Sequence, residues 1–354
     1  MALHETLPRN FETLLRDAPP AQLLAVFKTH AVTATGGVDW STAIGFLGCP
    51  DDLVRHLVAE GLDVDAPDLH GRTPLWIRAQ QGRPAQIPLL LSLGADIEAR
   101  DEGHEGCGPL HAAAVGLHAD TVRVLLEHGA DARAGAGTPA GTPLLGALQQ
   151  AESWECADLL EVTEVLLGAG DVVTEEMREQ LRELGTSFEH QRDTYSPEEL
   201  DQIERPLRKL YEIFGIEPVA AHRPHDGVSP IVASPGDREE QFEELFLWLV
   251  PATGPARTVQ GEVLRIVRVL EDEPPGESEI PRRDRTRMLK ELERHLGTGT
   301  PLPRAELKEA AGLLKKVRRR FSVFDDIERL AQLTLSWVLR NPSPQPLGPV
   351  PYDA

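Results

Sequence analysis

The first half of the chain repeats one short pattern at a nearly constant interval, and that constrains its fold more than any other feature. The triplets Thr73-Pro74-Leu75, Gly108-Pro109-Leu110 and Thr142-Pro143-Leu144 open successive copies. The first two are each followed, at the same distance, by Gly-Ala-Asp, at Gly94-Ala95-Asp96 and Gly129-Ala130-Asp131. A weaker copy runs from Trp40-Ser41-Thr42 to Gly61-Leu62-Asp63. A fourth starts at Thr142 and closes at Gly168-Ala169-Gly170, slightly late, which predicts an inserted turn near Glu152 to Asp158.

These triplets carry the chemistry of helix ends. Proline is tolerated at the first helical position, where its missing donor would be unpaired anyway, and the preceding Thr hydroxyl accepts an orphan amide. Gly94 and Gly129 supply the left-handed residue that stops a second helix. Between such stops Val122, Leu125 and Leu126 fall at i, i+3 and i+4, and Leu53, Leu57 and Val58 form a similar stripe. One helix pair cannot bury such a stripe alone, so neighbouring pairs must stack into a one-dimensional array.

The repeat resembles the ankyrin motif, D-x-x-G-x-T-P-L-H-x-A-A followed by a second helix and L-L-x-x-G-A-D. Asp68, Gly71, Thr73, Pro74 and Leu75 carry it in one copy, and Pro109, Leu110, His111, Ala113, Leu125, Leu126, Gly129, Ala130 and Asp131 in the next. The departures are Trp76 at the usual His, Gly108 at the usual Thr, and Pro88 inside a second helix. Pro88 is expected to shorten or kink its helix by removing a backbone donor.

The resemblance implies a mostly all-α fold, an ankyrin-type helical solenoid with short turn fingers, joined to a helical C-terminal domain. The expected divisions are a helical N-terminal cap over 1–37, about four ankyrin-like repeats over 38–185, a mostly helical domain over 186–340 and a Pro-rich tail over 341–354. In the cap, Pro19-Pro20 separates two short helices bearing Phe11, Leu14 and Leu15, then Leu23, Leu24, Val26 and Phe27. Further helices are expected near 174–184, 200–214, 242–249, 259–270, 286–296 and 304–339, the last with a break at Ser322 and with Phe321 and Phe324 at core positions. Residues 218–237 read as a loop or short hairpin, and 271–285 as a charged linker.

The second half also resembles a region of uncharacterised bacterial ankyrin-repeat proteins, through Leu249-Val250-Pro251, Thr258-Val259-Gln260-Gly261-Glu262 and Arg265-Ile266. Residues 274–285 replace the Asn-Gly and Asn-Trp-Asp stretch expected there. That resemblance brings no established activity.

Charge and cysteine content narrow the function classes. The net charge is −21. Residues 1–170 hold 10 Lys/Arg against 23 Asp/Glu, while residues 282–320 invert the sign with 13 basic and 5 acidic side chains. An acidic repeat surface disfavours nucleic acid and suits a basic protein partner. The three scattered cysteines supply no disulfide framework, and no signal-peptide pattern or membrane-length apolar run appears, so a cytoplasmic protein without a membrane span is expected.

In ankyrin proteins the turn tips and the exposed end of each first helix line a partner-binding groove. By that pattern the groove here is Leu69, His70, Arg72, Gln80 and Gln81, then His104, Glu105 and Val115, then Gln149 and Gln150. Each position also reads as ordinary solvated surface. His104, Cys107 and His111 fall short of the four ligands a structural zinc needs, and no cofactor or metal is expected. His222-Arg223-Pro224-His225-Asp226 is a loop cluster with no catalytic context. Glu262 and Arg265 read as an i, i+3 ion pair on a helix surface. The expected function is therefore non-enzymatic protein binding, with a regulator or toxin-neutralising role in a bacterial cell. The alternatives are an unrecognised enzyme in the C-terminal domain, which would gather His222, His225, Asp226 or Glu262 in one pocket, and nucleic-acid contact through 282–320.

Overall fold

The computed structural model describes residues 3–100, 106–138, 141–272, 280–318 and 324–352. The chain divides into two compact units, residues 1–188 with 196–219 and residues 189–195 with 220–354.

The first unit opens with β1 (His4–Thr6), α1 (Phe11–Asp17), α2 (Pro20–Val26), β2 (His30–Gly36) and β3 (Ser41–Thr42). β2 pairs with β1 in parallel and with β3 antiparallel. The two short helices meet at Pro19-Pro20 as expected, whereas the sheet is an addition to the expected helical cap. Val32, Thr33 and Thr35 favour extended backbone, but the run is too short and mixed for a period-two pattern to stand out.

Helix pairs follow. In the first pair, the opening helix is reduced to a 3₁₀ turn at Ala43–Gly45 before α3 (Asp51–Ala59). The next are α4 (Pro74–Gln80) with α5 (Ile87–Ser92), α6 (Pro109–Val115) with α7 (Ala119–Glu127), and α8 (Pro143–Gln150) with α9 (Cys156–Gly168). Thr73 caps α4 by accepting from Trp76 N at 3.2 Å, and Thr142 caps α8 by accepting from Leu145 N at 3.4 Å. Gly108 starts α6 with no side chain to do so. Gly94 and Gly129 stop the second helices at φ 99° and 96°, a region where a Cβ would be strained.

Pro88 sits in a helix of only six residues. A 3₁₀ turn at Pro84–Gln86 precedes α5, so Pro88 falls in the first turn, where a missing donor costs little. The inserted turn lies where the late glycine places it, as a 3₁₀ turn at Ser153–Glu155. Leu57, Leu75, Ala79, Val122, Leu125, Leu144 and Leu159 form part of the buried interior of the stack.

Two longer helices, α10 (Glu175–Gln191) and α11 (Pro197–Phe214), follow the stack. α10 continues past the expected Leu184 to Gln191, without interruption at 185–186.

The second unit contains α12 (Arg238–Leu249), α13 (Val259–Glu271), α14 (Arg282–Leu296), α15 (Arg304–Arg318) and α16 (Phe324–Arg340). α13 is its axis: every residue from Val259 to Val267 is buried, and the helix contacts α12, α14 and α16. Residues 218–237 form a loop up to the N-terminus of α12. The expected break at Ser322, the residues Arg319, Arg320 and Phe321 and the side chain of Phe324 lie outside the described residues. The fold is thus mostly α, with a helical repeat stack and a separate helical unit.

Candidate interaction cleft

The finger between the first two helix pairs is set by Asp68. Its Oδ1 accepts from the backbone N–H of His70 at 2.8 Å and of Arg72 at 2.9 Å, and its Oδ2 accepts from Arg72 Nε at 2.8 Å. Burial alone would raise the Asp68 carboxyl, but these bonds and the adjacent guanidinium hold it below the usual range. Arg72 reaches on to Asp39 at 3.1 Å, His70 meets the same carboxylate at 3.3 Å, and Leu69 N donates to Asp39 O at 2.8 Å.

The finger and the Gly36–Asp39 turn thereby enclose one side of a cleft of about 590 Å³. Its walls include Arg72, Gln80 and Gln81, together with Glu12, Arg16 and Asp39. Leu69 and His70 stand exposed on the finger, and Leu69 is 68 % accessible. Gln149 and Gln150 are exposed at the end of α8 and do not line this cleft. Val115 ends α6. His104 and Glu105 lie outside the described residues.

Sequence reasoning missed Val38, Asp39, Trp40 and Leu47. Val38 is 91 % and Trp40 55 % exposed, and Trp40 holds a left-handed backbone at φ 52°. That conformation costs a non-glycine residue about 1–2 kcal/mol. The turn residues Gly36-Gly37 were the available signal.

Trp76, at the motif histidine, donates its indole N–H to Cys107 O in the next repeat at 3.1 Å. His118 Nε2 meets Gln80 O at 2.9 Å. Both contacts tie one repeat to the next.

The candidates of the second unit separate. Glu262 and Arg265 are buried rather than on a helix surface, which corrects the expectation of a surface pair. Glu262 is fully buried, accepting from Ala256 N at 3.0 Å, Arg265 Nη2 at 2.7 Å and Tyr352 Oη at 2.6 Å. Gln260, equally buried, donates to Asn341 O and Ser343 O at 2.8 Å and accepts from Gln345 N at 3.1 Å. The Thr258–Glu262 segment therefore clamps the Pro-rich tail onto α13. Periodicity saw α13 but could not see a partner so distant along the chain.

His222 and His225 line a smaller cleft that neither Asp226 nor Glu262 lines. His225 is a loop fastener: its Nε2 donates to Ser229 O at 2.9 Å and its Nδ1 accepts from Gly227 N at 2.9 Å. Asp226 accepts from Ser229 and Val228, which hold its carboxyl down to about 2. No catalytic group forms from the four. Several side chains of the basic segment are engaged within the same unit, Lys316 with Asp326 at 2.7 Å and Arg318 with Glu293.

The family model for ankyrin repeats matches residues 41–136, in three copies. Residues 41–136 are ankyrin repeats. The α8–α9 pair continues the same layout beyond the matched residues. The chain is 38 % identical over 77 residues to the ankyrin repeat domain-containing protein oryK of Aspergillus oryzae, which is 22 % of this chain and 12 % of that protein. It is 38 % identical over 79 residues to the putative palmitoyltransferase ZDHHC13 of Danio rerio, 22 % of this chain and 12 % of the relative. It is 39 % identical over 92 residues to human ankyrin repeat and SOCS box protein 6, 23 % of this chain and 21 % of the relative. The chain thus spans about an eighth to a fifth of these curated relatives. The likeness to the palmitoyltransferase is through its ankyrin part alone. Ankyrin repeats are protein-binding modules, and no helix among the described residues is long and apolar enough to cross a membrane.

Proposed function

We propose that the repeats hold a protein partner without catalysis, and that the contact surface is the cleft bounded by Arg72, Gln80, Gln81 and Asp39 with its exposed rim of Leu69, His70 and Val38. The observation that carries this reading is that three expected groove residues, Arg72, Gln80 and Gln81, line one concavity, with Leu69, Val38 and Trp40 exposed on the neighbouring finger and turn. Hot spots of protein interfaces are enriched in Trp and Arg, the residue types of Trp40 and Arg72. Gln149 and Gln150, together with His104 and Glu105, are further contact residues in this reading. The acidic balance of residues 1–170 selects a partner with a basic face, and steering by that field makes capture faster at low salt. In this reading the protein is a cytoplasmic bacterial regulator or a neutraliser of a toxin or effector.

The test is quantitative rebinding. A partner recovered by affinity purification from the producing cells is purified and titrated against the full chain, and against Leu69→Asp and the Gln80→Ala/Gln81→Ala pair. Each variant is expected to keep its thermal transition and weaken binding about tenfold or more, the loss of roughly 1.4 kcal/mol. Wild-type affinity in both variants would remove the cleft from the contact surface.

A further inference from the structure

The second unit carries a cleft of about 220 Å³ beside the Pro251–Thr253 loop, with Asp193 and Arg257 both in its lining. Among the described residues neither side chain has a hydrogen-bond or ion-pair partner, and the two do not pair with each other. Opposite charges sharing one small concavity without neutralising one another leave it with a positive and a negative pole.

The other polar lining is complementary. His190 Nε2 lies 2.9 Å from Val250 O, and His222 Nε2 lies 2.6 Å from Leu247 O. A carbonyl only accepts, so each Nε2 carries a proton, and a ring whose one proton sits there keeps an acceptor lone pair at Nδ1. The rings sit edge to face with centroids 5.1 Å apart. Burial, and then the neighbouring His222, hold His190 below the ordinary histidine range, so it is neutral near pH 7.

We propose that this cleft binds a small zwitterion of the α-amino acid class, its carboxylate on Arg257 and its ammonium on Asp193 with an imidazole nitrogen. Size agrees: a cleft of about 220 Å³ is smaller than the roughly 300–1,000 Å³ pockets that enclose drug-sized ligands and suits a molecule of amino-acid size. Charge agrees as well. A simple anion would face Asp193 uncompensated, and a simple cation would face Arg257. A metal ion would need converging ligands, and no group of three His, Cys, Asp or Glu converges among the described residues.

The experiment is isothermal titration of the full chain with each of the twenty amino acids, with sodium acetate and methylammonium chloride as half-ligand probes. Saturable one-to-one binding of at least one amino acid is expected, with either half-ligand about tenfold weaker or worse. Arg257→Ala and Asp193→Asn should each weaken that binding about tenfold or more, while Arg257→Lys retains part of it. Amide spectra of each variant establish that it is folded. The proposal is overturned if no amino acid saturates, if acetate binds as well as the best amino acid, or if both variants bind like the wild type.

Discussion

The guanidinium of Arg78 donates to the main-chain carbonyl of Phe46 at 2.7 Å, 32 residues earlier in the chain. Its Nη2 also donates to Ile44 O at 2.9 Å and its Nη1 to Gly45 O at 3.2 Å. The side chain is 1 % exposed and stands where the ankyrin pattern has alanine. The reason lies in the preceding repeat, whose opening helix is only a three-residue 3₁₀ turn. Carbonyls that a full helix would satisfy are turned inward, and the cation from the next repeat completes them. Burial pulls Arg78 down to about 10, which leaves it charged at neutral pH.

Arg78→Leu should therefore cost about 3 kcal/mol or more, because two buried carbonyls and one part-buried carbonyl lose the cation they share. For a unit of this size that lowers Tm by roughly 6–12 °C. Arg78→Lys, with its three donors, should recover part of the loss. A melting curve of Arg78→Leu that overlays the wild type would show that water replaces the guanidinium without penalty.

Trp76 offers a smaller and more local test. Trp76→Phe removes the N–H that reaches Cys107 O together with part of a ring that is only 5 % exposed. A loss of at least about 1 kcal/mol is expected, the hydrogen bond plus the void left by the smaller ring, with faster amide exchange concentrated in residues 108–115. Exchange that rises evenly through the whole stack would instead mean that the bond does not hold the α6 end of its neighbour.

How much of this could be read beforehand depended on the range of each interaction. Thr73, Thr142, Gly94 and Gly129 act within one turn of their own helices, so their types alone placed the ends of the repeats. Pro88 was legible for the same reason. The motif marked Arg72, Gln80 and Gln81 by where a finger and a first-helix end stand, and all three line the cleft. The other wall of the cleft was hidden, because Asp39 acts on Arg72 and His70 across nearly a full repeat with no periodic mark. The Thr258–Glu262 segment misled in the opposite direction. Helical spacing made Glu262 and Arg265 a routine surface pair, whereas both are buried on the central helix of the unit and Tyr352 of the returning tail donates to Glu262.

That tail contact gives an alkaline prediction. Burial first, and the hydrogen bond to Glu262 second, push the Tyr352 phenol above its usual range. The unfolded chain releases this proton near pH 10 while the folded chain keeps it, so the contribution is complete below about pH 10 and shrinks as pH rises. Urea midpoints of the wild type should fall as pH rises from about 10 to 12, and those of Tyr352→Phe should fall less steeply. At pH 7 the same variant should lose about 1.5–3 kcal/mol, the worth of a hydrogen bond to a charged group. Parallel pH profiles for the two proteins would detach the phenol from the clamp.

On the acid side the sign reverses for His190. Its folded form resists protonation, through burial and then the neighbouring His222, whereas the unfolded chain takes up the proton near pH 6.5. The unfolded state thus binds more protons, and the contribution of His190 is present above about pH 6.5 and is lost as pH falls below it. His190→Gln keeps a donor for Val250 O without a titrating ring, so its stability should decline less between about pH 7 and 5 than that of the wild type. His222, Asp193 and Arg257 line the same cleft and remain in both proteins, so the difference of the two profiles isolates the one imidazole. A difference that stays flat with pH would mean that His190 is solvated well enough to protonate in place, and that its ring holds the Val250 carbonyl equally well when charged.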